Sequence, residues 1–96
     1  MASTIFERAM HRVPAETQAF VGLSADILDR VQAQMEKRGM SETDLARELG
    51  VSQEELAPML SLGYNFTLRT LTQLQTIFGE TLITVADNHA TDVVYH

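Results

Sequence analysis

The stretch SETDLARELGVSQEELAPML, residues 41–60, predicts two short helices that follow each other closely. Ser41 precedes Asp44 by three residues, which is the spacing of a capping box at the start of a helix. Ser52 precedes Glu55 by the same spacing, so a second helix is predicted to begin there. Each start is followed by leucines at helical intervals, and we therefore expect both helices to bury one side.

The turn between these two helices is short enough to bring them together. Gly50 suits the left-handed residue that ends a helix, and Ala46 is small at the point where the helices would cross. Such a pair is the helix-turn-helix unit, in which the second helix, here over residues 52–62, is presented to the DNA major groove. The shared core is predicted from Leu45, Leu49, Val51, Leu56 and Met59.

Further helices are predicted on both sides of this pair. Upstream, Pro14 suits a helix start, and Gly39 suits the end. Gly22 and Ser24 interrupt the helical preference, so one long helix and two consecutive helices both remain open. A short helix is also expected over residues 5–13. The inner face of the upstream helix is predicted to be Phe20, Leu23, Ile27, Val31 and Met35. A downstream helix is predicted to begin at a Thr67 cap and to end at Gly79. Its inner face is predicted to be Leu68, Leu71, Leu74, Ile77 and Phe78.

The C-terminal residues have a different composition. TLITVA at 81–86 and TDVVY at 91–95 are rich in β-branched residues, which predicts one strand or a hairpin. The expected fold class is therefore mainly α, a bundle of about five helices with a short C-terminal β-strand or hairpin. The chain divides into an N-terminal helical arm (1–22), a helix-turn-helix domain (23–79) and a β tail (80–96) that dimerises or docks a partner.

Length and charge restrict the function. A chain of 96 residues predicts one small domain, and the absence of cysteine removes thiolate metal sites and agrees with a reducing cytoplasm. The sequence has no apolar run of the roughly 20 residues that a membrane helix needs. A net charge of −6 argues against a general polyanion binder, because such affinity comes mainly from Lys and Arg on phosphates. We expect a cytoplasmic protein without a membrane span.

Residues 39–52 match the pattern G-x-S-x-x-x-L-A-x-x-L-G-V-S, which resembles the helix-turn-helix domain of the lambda-repressor-like, xenobiotic-response-element (XRE) family. NFTLRTL, residues 65–71, resembles the helix that follows in small antitoxin-like members. The likeness covers roughly residues 23–79. It implies a transcriptional regulator that binds operator DNA as a homodimer. Because many antitoxins belong to this family, a cognate toxin protein is a further candidate partner.

The resemblance also implies individual contacts when it is carried over position by position. Base-edge contacts would fall to Gln53, Glu54 and Ala57, early on the second helix of the pair. Glutamine can form two hydrogen bonds with adenine, and a carboxylate can accept one from the cytosine amino group. Phosphate contacts would come from Thr43, Ser52, Tyr64, Asn65 and Arg69.

Three features depart from the family pattern. Glu42 stands where the family usually has a glutamine that touches backbone and base. Pro58 removes a helical N–H and crowds the carbonyl of Glu54, which in a helix interior costs roughly 3 kcal/mol unless the helix bends or ends. Between residues 40 and 61, Arg47 stands against five acids, Glu42, Asp44, Glu48, Glu54 and Glu55, a local charge that repels phosphate.

These departures keep a second function open, in which the same fold serves as a protein-interaction module without DNA binding. A helix that continues straight through Pro58 to Leu60 would favour DNA reading, whereas a break there would favour the module. We expect no enzyme, because the sequence has no Gly-rich phosphate loop and no Cys–His pair. No cofactor or metal is expected either. A tail site would need His11, His89 and His96 with Asp87 and Asp92, which are better explained as solvated tail residues.

Overall fold

Four helices make up most of residues 13–86, the part of the chain that the computed structural model describes. No strand is present within these residues, which confirms a mainly helical class. The helix expected over residues 5–13 lies, apart from its last residue, outside the described residues, and so does the segment 91–95. The helices are α1 (Ala15–Arg38), α2 (Glu42–Leu49), α3 (Gln53–Met59) and α4 (Leu68–Phe78).

The first helix is one continuous helix, which decides between the two alternatives left by the sequence. Pro14 stands immediately before it, and its carbonyl accepts from the amides of Thr17 and Gln18, each at 3.0 Å. With 24 residues α1 is about 36 Å long. The rest of the chain packs only against the part of α1 from Ser24 onward, because the buried residues of this helix are Ser24, Ile27, Val31 and Met35.

The two capping boxes predicted for α2 and α3 are confirmed. The Ser41 hydroxyl accepts from the amide of Asp44 at 3.1 Å, and the Asp44 carboxylate accepts from the amide of Ser41 at 3.0 Å. Ser52 and Glu55 form the same reciprocal pair, with both bonds at 3.0 Å. Gly50 separates the helices with φ 73°, a left-handed conformation that glycine adopts without a steric penalty.

The core contains buried residues from all four helices. Ser24 is the one buried polar residue of the described chain, and it joins α1 to the loop before α4. Its hydroxyl donates to the Tyr64 carbonyl and accepts from the Gly63 amide, each at 3.1 Å. Around it the core is apolar, consisting of Ile27, Val31, Met35, Leu45, Ala46, Leu56, Met59, Leu71, Leu74 and Phe78.

The last helix begins as predicted, with the Thr67 hydroxyl accepting from the Thr70 amide at 3.1 Å. Leu68, however, is 74% exposed although the sequence placed it on the inner face. It is the first residue of α4 and precedes the part of the helix that reaches the core, which begins with buried Leu71.

Residues 81–86 form no strand, so the strand predicted there is wrong. The amides of Leu82 and Ile83 instead donate to Oε1 of Gln75, at 2.9 and 3.1 Å. A strand needs a backbone partner, and here a side chain of α4 takes up the amides that such a partner would bind. Leu82 and Ile83 also pack against the core, which explains their apolar character without a sheet.

Candidate nucleic-acid interface

The side chains at the starts of α2 and α3 meet on one exposed surface. Nε2 of Gln53 donates a hydrogen bond to Oγ1 of Thr43, so a residue expected to read a base contacts one expected to bind phosphate. Ser52, Glu54 and Ala57 are exposed as well. The structure thus brings Thr43 and Gln53 into contact, whereas Ser52, Glu54 and Ala57 lie open to solvent.

The other expected phosphate contacts lie in the loop before α4 and at its start. Tyr64 is half-buried, and its ring packs edge-to-face on Phe66 with the ring centroids 4.9 Å apart. Asn65 and Arg69 are exposed. No hydrogen bond within residues 13–86 connects these three residues to Gln53 or Thr43, so the predicted contacts form two separate groups.

Most of the cations near this surface are engaged in contacts within the chain. Nζ of Lys37 lies 3.5 Å from Oε1 of Glu80, and the Arg47 guanidinium lies 3.3 Å from Oδ1 of Asp44. Arg38 donates to the Phe78 carbonyl and lies 5.9 Å from the centroid of its ring.

Arg69 differs from these three cations. Its guanidinium forms no hydrogen bond or ion pair with any other described residue. Of the four cations between residues 37 and 69 it is therefore the one that can approach a phosphate without giving up a contact.

Two acids of this surface, Asp44 and Glu55, have a lowered pKa and stay ionised at neutral pH. The hydrogen bond from the Ser41 amide holds the pKa of Asp44 below its usual value, with a further contribution from Arg47. The hydrogen bond from the Ser52 amide lowers the pKa of Glu55 in the same way. Glu54 is exposed and accepts no hydrogen bond from other residues in the described range, so its charge is uncompensated.

The third helix ends directly after Pro58. The helix extends to Met59, and Leu60 already has φ −98° and ψ 16°. Beyond it the amides of Leu60 and Ser61 bond to carbonyls three residues back, at 3.2 and 3.1 Å, as in a tightened last turn. The helix therefore ends at Met59 and does not continue to 62 as predicted.

A feature that the sequence reasoning missed is an apolar groove of about 170 Å³ beside the loop before α4. Tyr64 and Asn65 are part of its wall, so they face apolar neighbours as well as solvent. The signal available in the sequence was Leu68, an apolar residue at a helix start where it cannot reach the core. We call this surface the apolar groove, and its main lining residues are Phe20, Leu23, Phe66, Leu68, Leu71 and Ile83.

A scan against known protein families gave no match, and searches of curated proteins and of solved structures found no similar chain. Among the described residues, no cluster of three or more His, Asp or Glu side chains has an arrangement that could hold a metal ion. None of the helices between residues 13 and 86 is both long enough and apolar enough to cross a bilayer.

Proposed function

We propose that this chain is a sequence-specific, DNA-binding transcriptional regulator of the XRE helix-turn-helix type. In this proposal it resembles small antitoxins, acts as a homodimer on double-stranded operator DNA, and has a cognate toxin as a candidate partner. α2 and α3 form the helix-turn-helix, and α3 enters the major groove. The base-reading residues are Gln53, Glu54 and Ala57, and the phosphate-binding residues are Thr43, Ser52, Tyr64, Asn65 and Arg69.

The hydrogen bond between Gln53 and Thr43 is the observation that supports this proposal most. It restricts the rotamers of Gln53 before any ligand arrives, and a side chain that is already ordered loses less entropy on binding. The early end of α3 is compatible with base reading, because Gln53, Glu54 and Ala57 all precede Pro58.

The proposal is tested by measuring affinity for duplex DNA by fluorescence anisotropy, between about 50 and about 200 mM salt. One duplex carries the sequence upstream of the protein's own gene, and a second of equal length is random. We expect tighter binding to the upstream duplex. Gln53→Ala should lower that preference about tenfold, since a two-hydrogen-bond contact to adenine is worth about 1–3 kcal/mol.

Gln73→Ala is the matched control, because Gln73 is also an exposed helical glutamine but lies on α4. It should leave the affinity for both duplexes unchanged. Failure of the folded protein to bind either duplex at the lowest salt would refute the regulator proposal.

A second candidate function, a protein-interaction module with this fold and no DNA binding, is supported by two observations. The surface around α3 keeps its negative charge while Lys37, Arg38 and Arg47 are engaged elsewhere. In addition, α3 ends at Met59 and does not continue through Leu60. Specific DNA binding that Gln53→Ala abolishes would exclude this second candidate.

A further inference from the structure

We infer that the apolar groove is the surface through which two copies of this chain associate. The groove lies between the N-terminal half of α1 and the loop that leads into α4, with Leu68 at the start of α4 as part of its wall. The inference rests on the homodimer of the proposed function and assigns its interface to these residues, in place of the C-terminal segment that the sequence suggested. Because Tyr64 and Asn65 belong to the wall of the groove, the dimer covers them and leaves the phosphate contacts to Thr43, Ser52 and Arg69.

The exposure of large apolar side chains is concentrated at this groove. Phe20 is 39% exposed, Leu23 52% and Leu68 74%, and all three line it. The other large apolar residues exposed within residues 13–86 are Leu62 and Val85, which do not line it. Scattered exposed leucines are ordinary, whereas several on one continuous surface mark a site of association.

The shape of the groove suits insertion of a side chain from a second copy. Its volume of about 170 Å³ exceeds the roughly 150 Å³ of an apolar cavity that accepts benzene, so a leucine side chain fits. The same surface therefore offers both exposed leucines and a groove that can receive them. A contact about a two-fold axis needs this property, because an identical patch must match itself.

Charge favours a second copy over a strongly charged partner. The chain carries −6, so two copies repel each other through most of their surfaces. The lining of the apolar groove contains no acid and no base other than the Tyr64 phenol, so association there buries no carboxylate. Like-charge repulsion therefore opposes association through this groove less than association through the acidic surface of α2 and α3.

The border of the groove is also complementary to itself. Asp26 and Arg30 lie one helical turn apart on α1, in a hollow that adjoins the groove through Leu23 and Ile27. Neither has an ion-pair partner within the described chain. When the same patch meets itself about a two-fold axis, the acid of one copy can face the base of the other. A partner that carried only positive or only negative charge could pair with Asp26 or with Arg30, but not with both.

The inference is tested with the full chain, without DNA, by sedimentation equilibrium and light scattering. The test variants are Leu68→Asp and Leu23→Asp, and the matched control is Leu62→Asp, since all three leucines are exposed and should tolerate a polar residue. Leu68 is the first residue of α4, a position at which an acid favours the helix. Circular dichroism confirms that each variant is folded.

We expect the wild type and Leu62→Asp to be dimers, and the two groove variants to dissociate at least about 100-fold more readily, because each dimer loses two buried leucines. Dimers that survive both groove substitutions would place the interface elsewhere and overturn the inference. Equal weakening by Leu62→Asp would overturn it as well. A monomeric wild type would refute the dimer and the groove together, but leave DNA binding to be decided by the salt series.

Hydrogen exchange on the wild type gives a second readout that needs no variant. Amide protection over residues 20–27 and 64–68 should rise with protein concentration if a second copy covers the groove. Protection that does not change with concentration would contradict the inference, since it would mean that the same chain covers the groove or that nothing does.

Discussion

At the scale of single residues, the hydroxyl of Ser24 joins parts of the chain that are 39 and 40 residues apart in sequence. It is 3% exposed and satisfies both the Gly63 amide and the Tyr64 carbonyl. Ser24→Ala would leave these two backbone groups without their partner, and we expect it to lower the free energy of unfolding by about 1–3 kcal/mol. Urea denaturation measures the change.

Ser61→Ala is the control for that experiment. The Ser61 hydroxyl also donates to a backbone carbonyl, that of Ala57 at 3.2 Å, but the residue is exposed and water can replace it. Its substitution should change the stability by less than about 0.5 kcal/mol. Equal losses for the two serines would show that the buried position of Ser24 is not what matters.

Glu54 tests the electrostatics of the proposed interface. Its carboxylate is exposed and unpaired within residues 13–86, so Glu54→Gln removes one charge repelled by phosphate without breaking a contact. Affinity for random DNA should rise about two- to threefold at low salt, the size expected for a screened exposed charge.

The matched substitution is Glu48→Gln, because Glu48 is an exposed acid on α2 that lines a surface hollow together with Thr72 and Thr76 of α4. It should change the affinity for random DNA less. Because Glu54 is also a proposed base contact, Glu54→Gln should weaken binding to the upstream duplex while it strengthens binding to random DNA. Unchanged or weaker binding to random DNA would contradict the proposed repulsion.

At the scale of secondary-structure elements, the capping boxes of α2 and α3 predict a dependence of stability on pH. Hydrogen bonds from Ser41 and Ser52 lower the pKa of Asp44 and Glu55 in the folded chain. Their stabilising effect is therefore complete above the ordinary pKa values of about 4 and is lost as the pH falls through the lowered folded values.

The effect of these two carboxylates on the free energy of unfolding is measured by denaturing the wild type and the double variant Asp44→Ala/Glu55→Ala at several pH values between pH 7 and pH 3. The double variant should be less stable at neutral pH, and the difference should shrink below about pH 4. Glu42→Ala/Glu54→Ala is the control, because those acids lie in the same first turns without capping. A difference that stays constant with pH would contradict a role for the carboxylates.

Gln75 predicts how α4 holds the residues that follow it. Its Oε1 accepts from the amides of Leu82 and Ile83, so Gln75→Leu should remove about 1–2 kcal/mol of stability and speed hydrogen exchange at those two amides. Gln75→Glu keeps an acceptor at the same place and should preserve the protection. Fast exchange at both amides in the wild type would show that the contact is not maintained in solution.

The caps of α2 and α3 and the end of α2 at Gly50 were predictable from the sequence because their causes are local. Ser52 and Glu55 interact within one turn, and Gly50 follows from the backbone conformation at a single residue. The exposure of Leu68 and the conformation of residues 81–86 depend on residues that are distant in the sequence. Leu68 follows the helical pattern but does not reach the core. The hydrogen bonds from the amides of Leu82 and Ile83 to Gln75 produce no periodic pattern in the sequence. The Gln53–Thr43 bond likewise needs the crossing of two helices, which spacing alone does not define.

At the scale of the whole molecule, the net charge of −6 repels DNA, whereas the proposed function requires cations that bind its phosphates. Each phosphate that a bound cation neutralises contributes about −0.9 to the slope of log affinity against log salt concentration. Of the four cations between residues 37 and 69, Lys37, Arg38 and Arg47 are already engaged, so we expect Arg69 to supply the phosphate contact of each subunit. A homodimer should then show a slope of about −2.

Arg69→Gln separates this prediction from a general effect of charge. It should bring the slope close to zero and weaken binding to random and upstream duplexes alike, since a phosphate contact carries no sequence information. Lys37→Gln removes the same charge but from a side chain paired with Glu80, and should leave the slope unchanged. A wild-type slope of about −6 or steeper would mean that the paired cations, or cations outside residues 13–86, bind phosphate, and that the intramolecular pairs give way to DNA.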